Sequence, residues 1–430
     1  MRSAASGLVI LIIALAACSV HVTKSLGASN PSASDSTYIM VGGQNGTWFE
    51  RGQAPRLERI DLGNYSVTPL TPVPTEGTVW GGGWNGSQWL ISGWGEDAGP
   101  NGSNPYIFLY NGLSQVVDGS LDQYTAETTW HGGDIFAASA HGNDWLLSGL
   151  GSGNLTSYGH INHMSLSLFD GNDFTDLSSS VPNQRDAILY ANAWNGEYWL
   201  IGGGYEDYGT LFTFNGKKIV DLTAKIAEAV PTFGSVQSLA WNGYYWLIGG
   251  EDFLATYDGY RVKDLTPQLN SMLAQHGGCC GSVNAIAWDG GEWVLGGGTP
   301  IAETDYSNAW LVKYAAGAFT DLTSEISPNA ADMIRDSSIL SIAVASPSWI
   351  IGGYTDGRGS LYECNGSTFA NLSYLVNNYT YVNWVGAHSF QKHTPTLARP
   401  ISVGPVESNI FILPFQCVTL ETIRLRTGLV

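Results

Sequence analysis

Residues Leu239–Thr266 read LAWNGYYWLIGGEDFLATYDGYRVKDLT, and the core of this phrase returns along the chain. The copies are WNGSQWLISG from Trp84, HGNDWLLSG from His141, WNGEYWLIGG from Trp194, WDGGEWVLGG from Trp288 and ASPSWIIGG from Ala345, with a shorter cousin, YIMVGG, from Tyr38. The residue three before the glycines falls at Ile39, Trp89, Trp145, Trp199, Trp246, Trp293 and Trp349, with spacings of 50, 56, 54, 47, 47 and 56. A period near fifty marks an array of equivalent supersecondary units, none of which buries its apolar faces alone.

Within the phrase, SLAW and YYWLIGG flank Asn242-Gly243, FLATY ends at Asp258-Gly259, and RVKDLT follows. Both dipeptides signal hairpins, and Asn-Gly is expected to form a type I′ turn with positive φ at both central residues. The runs are short and broken by glycine, which suits strands and leaves no room for an amphipathic helix. Each unit is therefore expected to be a sheet of four short antiparallel strands. With 54 glycines in 430 residues and 12% aromatics, the chain has the composition of an all-β protein with many tight turns.

Sheets of this kind close radially into a propeller, and here the chain resembles the kelch-like β-propellers, whose repeats carry a Gly-Gly doublet on the second strand and an aromatic on the third. The doublets are Gly42-Gly43, Gly202-Gly203, Gly249-Gly250, Gly296-Gly297 and Gly352-Gly353, with Ser92-Gly93 and Ser148-Gly149 in the same slot. Third-strand aromatics include Tyr110, Phe169, Phe214, Tyr257, Tyr314 and Tyr362. In place of the kelch tryptophan on the fourth strand stands DLT or DLS, and tryptophan precedes the glycines instead. The resemblance is architectural and covers roughly residues 37–388.

Seven copies give seven blades. The first lacks an inner strand, because a Ser/Asn/Pro-rich stretch precedes Tyr38, and the missing strand reappears as YVNWVG at Tyr381–Gly386. The expected fold is a seven-bladed β-propeller of four-stranded antiparallel blades, all-β, its ring closed by a C-terminal strand pairing with the N-terminal blade. Residues 1–17, with Arg2 and an apolar run from Leu8 to Ala17, have the shape of a signal peptide too short to span a bilayer. LAAC at Leu15–Cys18 resembles a lipobox, which implies lipidation of Cys18, a flexible tether over 18–36 and a membrane-anchored, extracytoplasmic address at the cell surface. The tail, 389–430, has no repeat pattern.

Eighteen basic against 37 acidic residues exclude a nucleic-acid partner, whose phosphates need a basic surface. Eight N-x-S/T sequons begin at Asn45, Asn64, Asn85, Asn101, Asn154, Asn365, Asn371 and Asn378. They are either glycosylation sites or turn residues. Besides Cys18 there are Cys279, Cys280, Cys364 and Cys417, without metal spacing or a disulfide framework; the adjacent pair is either a vicinal disulfide or two thiols.

In a propeller the loops between strands two and three, and the links from strand four to the next blade, share one face. Those loops vary here, so a site is expected on that face. Carboxylates follow the glycine doublets at Glu96 and Asp97, Glu206 and Asp207, Glu251 and Asp252, Glu303 and Asp305, and Asp356. They are solvated acidic loops or calcium ligands, though no DxDxDG-like register is present. At the start of the inner strands, near the channel mouth, lie Glu76, His131, Asp134, Arg185, Asp186, His276, Arg335 and Asp336. RDAIL and RDSSIL hold matching slots in two blades, where Arg-Asp either grips a ligand carboxylate or sugar hydroxyls or ties blades together. His160 and His163, three apart in a loop, are a weak metal signal. No P-loop, GxSxG, Asp-box or galactose-oxidase-like copper set is matched, and no cofactor is expected.

The expected function is a binding or interaction module for carbohydrate or an extracellular protein. The alternatives are an extracytoplasmic hydrolase, lyase or oxidoreductase using Asp134, Asp186, Asp336 or a nearby histidine as acid and base, and an envelope scaffold.

Overall fold

The computed structural model describes residues 37–46, 54–71, 76–95, 104–111, 115–119, 133–152, 162–182, 187–205, 208–274, 281–300, 307–326, 336–366 and 368–388. They form seven four-stranded antiparallel sheets. In blades 2 to 7 the first strand is innermost: Gly77–Trp84, Gly133–His141, Ile188–Trp194, Val236–Trp241, Ser282–Trp288 and Ser337–Ala345. Blade 1 is built from both ends of the described chain. Tyr38–Asn45, Ala54–Asp61 and Val67–Pro69 supply three strands, and Tyr381–His388 supplies the inner one, with Tyr38 opposite His388 and Gln44 opposite Tyr381.

The core is divided among seven clusters, each joining one blade to the next. The cluster holding Ile39, Ile350, Leu361 and Val382 joins blade 7 to blade 1 and completes the circle. Each anchor tryptophan is the first or second residue of the second strand of its blade and is buried. An aromatic of this size removes roughly 150–250 Å² from water, about 4–6 kcal/mol of gross stabilisation. In four blades its indole N–H reaches the preceding blade: Trp246 donates to the Tyr198 hydroxyl at 3.2 Å, Trp293 to Tyr245 at 3.0 Å, Trp89 to Tyr38 at 3.2 Å and Trp349 to Asp289 Oδ2 at 3.0 Å, whereas the Trp145 and Trp199 indole N–H groups are buried without a hydrogen-bond partner among the described residues. In Tyr245-Trp246 the tyrosine thus accepts from the next blade's indole while the tryptophan beside it donates to the preceding blade.

The two glycines of the doublet do different work. A Cβ on Gly249 would meet Val283 Cγ1 of the next blade at 2.5 Å, and one on Gly296 would meet Ile339 Cγ2 at 2.6 Å. The first glycine is the socket for the next blade's β-branched knob. A Cβ on the second, Gly250, would run into the backbone carbonyl of Ser235, one residue before its own inner strand opens at Val236, and Gly43, Gly93, Gly149, Gly203, Gly297 and Gly353 repeat that close approach. At this point the inner strand bulges in every blade: Val236 pairs with Gly250 and Ser238 with Gly249, leaving Gln237 unpaired between them.

The Asn-Gly hairpins differ from the type I′ expectation. Their glycines, such as Gly196 and Gly243, take positive φ and the preceding asparagines do not, whereas Ala316-Gly317 and Asp356-Gly357 are positive at both central residues. Asn242 instead accepts the N–H groups of Tyr244 and Tyr245 on Oδ1 at 2.9 and 2.8 Å, and Asn195 does the same for Glu197 and Tyr198. These are Asx turns, in which the side chain replaces a backbone acceptor.

Helices also occur where none was expected. Short α-helices follow the fourth strands of blades 4, 5 and 6: α1 (Thr223–Ala229), α2 (Thr266–Leu273) and α3 (Thr323–Ile326). The DLT motif starts them. Asp264 Oδ1 accepts the Thr266 N–H at 2.8 Å, Thr266 Oγ1 accepts the Leu254 N–H of the third strand at 3.0 Å, and the Leu265 N–H donates to the Leu254 carbonyl at 2.8 Å. The same clasp recurs with Asp221 and Thr223, Asp321 and Thr323, Asp176 and Ser178, and Asn371 and Ser373. It holds a three-residue outer strand in place and turns the chain back toward the next blade.

Candidate functional site

The bulge gives each blade one residue outside the regular pairing. Around the ring these are Asn383, Trp80, Phe136, Tyr190, Gln237, Asn284 and Leu340. All seven line a cavity of about 260 Å³ bounded by the inner strands of all seven blades. The ring has two halves. Blades 2 to 4 contribute an aromatic arc, with Trp80 and Phe136 centroids 5.2 Å apart at 41° and Phe136 and Tyr190 5.3 Å apart at 62°. Across from it stand the amides of blades 5, 6 and 1.

Hydrogen bonds orient those amides. Gln237 Nε2 donates to Ser235 Oγ at 3.3 Å, Asn284 Nδ2 to Ser338 Oγ at 3.0 Å and the Ile339 carbonyl at 3.2 Å, and Asn383 Nδ2 to the Val79 carbonyl at 3.4 Å. The amino group of Asn284 makes two bonds to the protein and those of Gln237 and Asn383 one each, which holds the amides in place; Asn383 Oδ1 is buried with no protein partner. Each inner strand is the end strand of its sheet, so its other edge adds backbone donors and acceptors to the wall. At the level of the bulge residues one side of the channel is thus π-rich and the other carries the amides, with Leu340 of blade 7 between Asn284 and Asn383; Asn192 of blade 4 also lines the cavity.

The mouth lies where the inner strands begin. Asp134 is the second residue of its strand, in a slot held elsewhere by Thr78, Ile188, Ser235, Ser282, Ser338 and Tyr381. Burial pushes its carboxyl up to about 7, against the opposing effect of the Trp80 indole hydrogen bond. Tyr190 is close by: burial, with the charges of Glu251 and Asp134 adding to it, pushes its hydroxyl up to about 12. The folded chain keeps the Asp134 proton to about pH 7, whereas an unfolded aspartate releases it near pH ~4. Folded protein binds the extra proton between those values, so this group's contribution to stability falls as pH rises through the window. Asp134→Asn is expected to gain stability relative to the wild type between pH 5 and pH 8, read by urea unfolding; a pH-independent difference contradicts the buried carboxyl.

Glu76 and Asp336 occupy matching slots, each one residue before an inner strand. Asp336 has φ 64°. Burial raises its carboxyl first, and the Asp356 charge adds; hydrogen bonds from the Tyr354 hydroxyl and the Ser307 N–H work the other way. With Ser307 in blade 6 and Tyr354 in blade 7, Asp336 ties two blades together. His131, Arg185, Asp186, His276 and Arg335 lie outside the described residues, so the Arg-Asp pairs are not seen whole.

Glu251 and Asp252 form the exposed turn after the doublet of blade 5, with Asp252 at φ 60°. Glu96, Asp97, Glu206, Asp207, Glu303 and Asp305 lie outside the described residues, as do His160, Cys18, Cys279, Cys280 and Cys417. Among the described residues no group of three or more His, Cys, Asp and Glu is placed to hold a metal, and no helix is long and apolar enough to cross a membrane. His141 stacks on Trp194 at 4.0 Å and His388 on Tyr38 at 4.9 Å, both as packing elements. Cys364 is buried, and it rather than Tyr362 stands opposite the anchor Trp349. Of the sequons, Asn64, Asn85, Asn365 and Asn371 use Oδ1 in local turns, Asn378 bonds to the Glu58 carboxyl, Asn45 is exposed, and Asn101 and Asn154 lie outside the described residues.

The channel ring was not expected from the sequence. Its signal is a fixed column, four residues before the inner-strand residue that pairs with the anchor: Gln237 before Trp241, Tyr190 before Trp194, Asn284 before Trp288. That column varies in type while the framework around it repeats.

No protein-family model and no curated protein matches the chain. Among solved structures, it is similar to an acylaminoacyl peptidase of Pyrococcus horikoshii, with 11% identity, TM-score 0.45 and 78% of this chain covered. The match spans 50% of that protein's length. It is also similar to the β-propeller domain of the Trilobed protease from Pyrococcus furiosus, at 11% identity and TM-score 0.43, covering 79% of this chain and 98% of that one. A third is YCF48 bound to D1 peptide, at 12% identity and TM-score 0.42, covering 70% and 82%. Similarities this distant say nothing about ligand or activity; the seven-bladed propeller stands on the chain's own sheets.

Proposed function

We propose that the protein is a surface-anchored, extracytoplasmic binding module for a carbohydrate or an extracellular protein, with the ligand engaging the central channel. The observation that carries this reading is the two-sided ring of bulge residues. A repeated framework delivers seven side chains of six kinds to one cavity, and stacking opposite hydrogen bonding is the usual make-up of a recognition site. The surface address is supported by the apolar run Leu8–Ala17 with LAAC at Cys18, by the tether that follows and by the acidic balance of the chain. The kelch-like repeat and sequon use belong to the same reading.

A second reading, an extracytoplasmic enzyme, draws support from Asp134. A carboxyl titrating near neutrality beside an aromatic-lined cavity has the acidity of a general acid or base.

One experiment separates the two. The full-length protein is applied to glycan arrays and extracellular-protein arrays, and captured ligand is recovered and weighed by mass spectrometry. Intact ligand is the expected result. Ligand shortened, cleaved or oxidised puts the enzyme first, and silence on both arrays overturns the binding role.

A further inference from the structure

We infer that the channel ring accepts a single uncharged sugar ring, lying with one C–H face against Trp80, Phe136 and Tyr190 and its hydroxyls toward Gln237 and Asn284. The inference rests on the binding-module reading and narrows it.

Size is the first ground. A cavity of about 260 Å³ lies just below the ~300–1,000 Å³ of ordinary small-molecule sites, the scale of one ring. Shape is the second. Neighbouring aromatics of the arc are tilted to each other by 41° and 62°, so no two neighbours offer parallel faces to sandwich a flat heteroaromatic ligand. A saturated ring, thick, apolar on one face and hydroxylated at the rim, matches such a one-sided arc.

Hydrogen bonding is the third ground. The amino group of Asn284 makes two bonds, to Ser338 and Ile339, and that of Gln237 one, to Ser235, which holds both amides in place with their carbonyl oxygens as acceptors for ligand hydroxyls. The free edges of the inner strands supply donors as well as acceptors, as a polyol requires. Charge is the fourth. Every side chain lining the cavity is uncharged, and the nearest carboxyls, Asp134 and Glu251, act on Tyr190 from the mouth. An anionic sugar would pass those acids and lose its hydration without a counter-charge.

The test uses the full-length protein, saturation-transfer NMR and the methyl glycosides of glucose, galactose, mannose and N-acetylglucosamine, with methyl glucuronate as the anionic probe. At least one neutral glycoside is expected to bind, with the strongest transfer to ring C–H protons, and glucuronate is not. Tyr190→Ala and Gln237→Ala, each checked for an unchanged melting temperature, are expected to weaken it at least about tenfold. Using both keeps the test open if one variant does not fold. Tyr244→Ala, at the opposite pole of blade 5, leaves binding as it was. Tighter binding of an oligosaccharide ending in the same sugar identifies a glycan terminus as the source; equal binding identifies the free sugar. If no neutral glycoside binds while the arrays return a protein or a charged polysaccharide, the inference falls and the binding module stands. Silence in both removes both, and neutral-sugar binding indifferent to the Tyr190 and Gln237 variants overturns the placement.

Discussion

Gly250→Ala is expected to cost about 4 kcal/mol or more, enough to leave little folded protein in a molecule whose net stability is of order 5–15 kcal/mol. The added methyl would overlap the Ser235 carbonyl and come within 2.5 Å of Phe253 Cε1. A backbone carbonyl held in a sheet has nowhere to go, and moving it would undo the bulge that presents Gln237. The neighbouring Gly249→Ala makes the useful contrast. Its obstacle is the Val283 side chain at 2.5 Å, which a small shift between blades relieves in part, for a cost of roughly 1–3 kcal/mol. Urea unfolding followed by tryptophan fluorescence ranks the two. Equal losses would show that socket and bulge are not separate functions of the doublet.

Ending the chain at Thr380 is the second large perturbation. It removes the inner strand of blade 1 and with it Val382 and Val385, both buried against blade 7, and Asn383 with its bond to Val79 of blade 2. Each buried aliphatic is worth about 1.5–3 kcal/mol. The edge Tyr38–Asn45 would stand open as a template for pairing with other chains. The expected outcome is an aggregating protein without a cooperative melt. Adding the peptide Tyr381–His388 in trans should restore a monomer. A Thr380-terminated chain that stays monomeric and melts unchanged would contradict closure by this strand.

Much of this architecture was legible because its determinants are local and repeated. The tryptophan anchors count the blades, and YVNWVG fills the one slot the first blade lacks. What escaped depends on contacts between strands. The role of Asn242 as an Asx acceptor was hidden because Asn-Gly fits two turn geometries. DLT reads as a departure from a familiar repeat until Thr266 is seen to bridge to Leu254. The short helices after it draw their apolar contacts from neighbouring blades, as Leu269 and Leu273 do, so too little periodicity is left in eight residues to announce them.

The site was legible in the same uneven way. Charged residues at the mouth stand out in any sequence, and Asp134 is among them. Phe136 and Leu340 look like ordinary core, and Gln237 and Asn284 like ordinary surface. Only the bulge, enforced by the second glycine of each doublet, sets them on one ring. Asp134 gains its unusual acidity from burial beside Trp80, a neighbour in a different blade and more than fifty residues away in sequence.

The most direct measurement of the channel as the binding site is the dissociation constant of an array-selected ligand for the intact chain, Tyr190→Ala and Tyr244→Ala side by side. The expected result is a loss of about tenfold or more for Tyr190→Ala and a change within about twofold for Tyr244→Ala. Retained binding by Tyr190→Ala together with loss in Tyr244→Ala would move the site to the opposite pole of the propeller and contradict it.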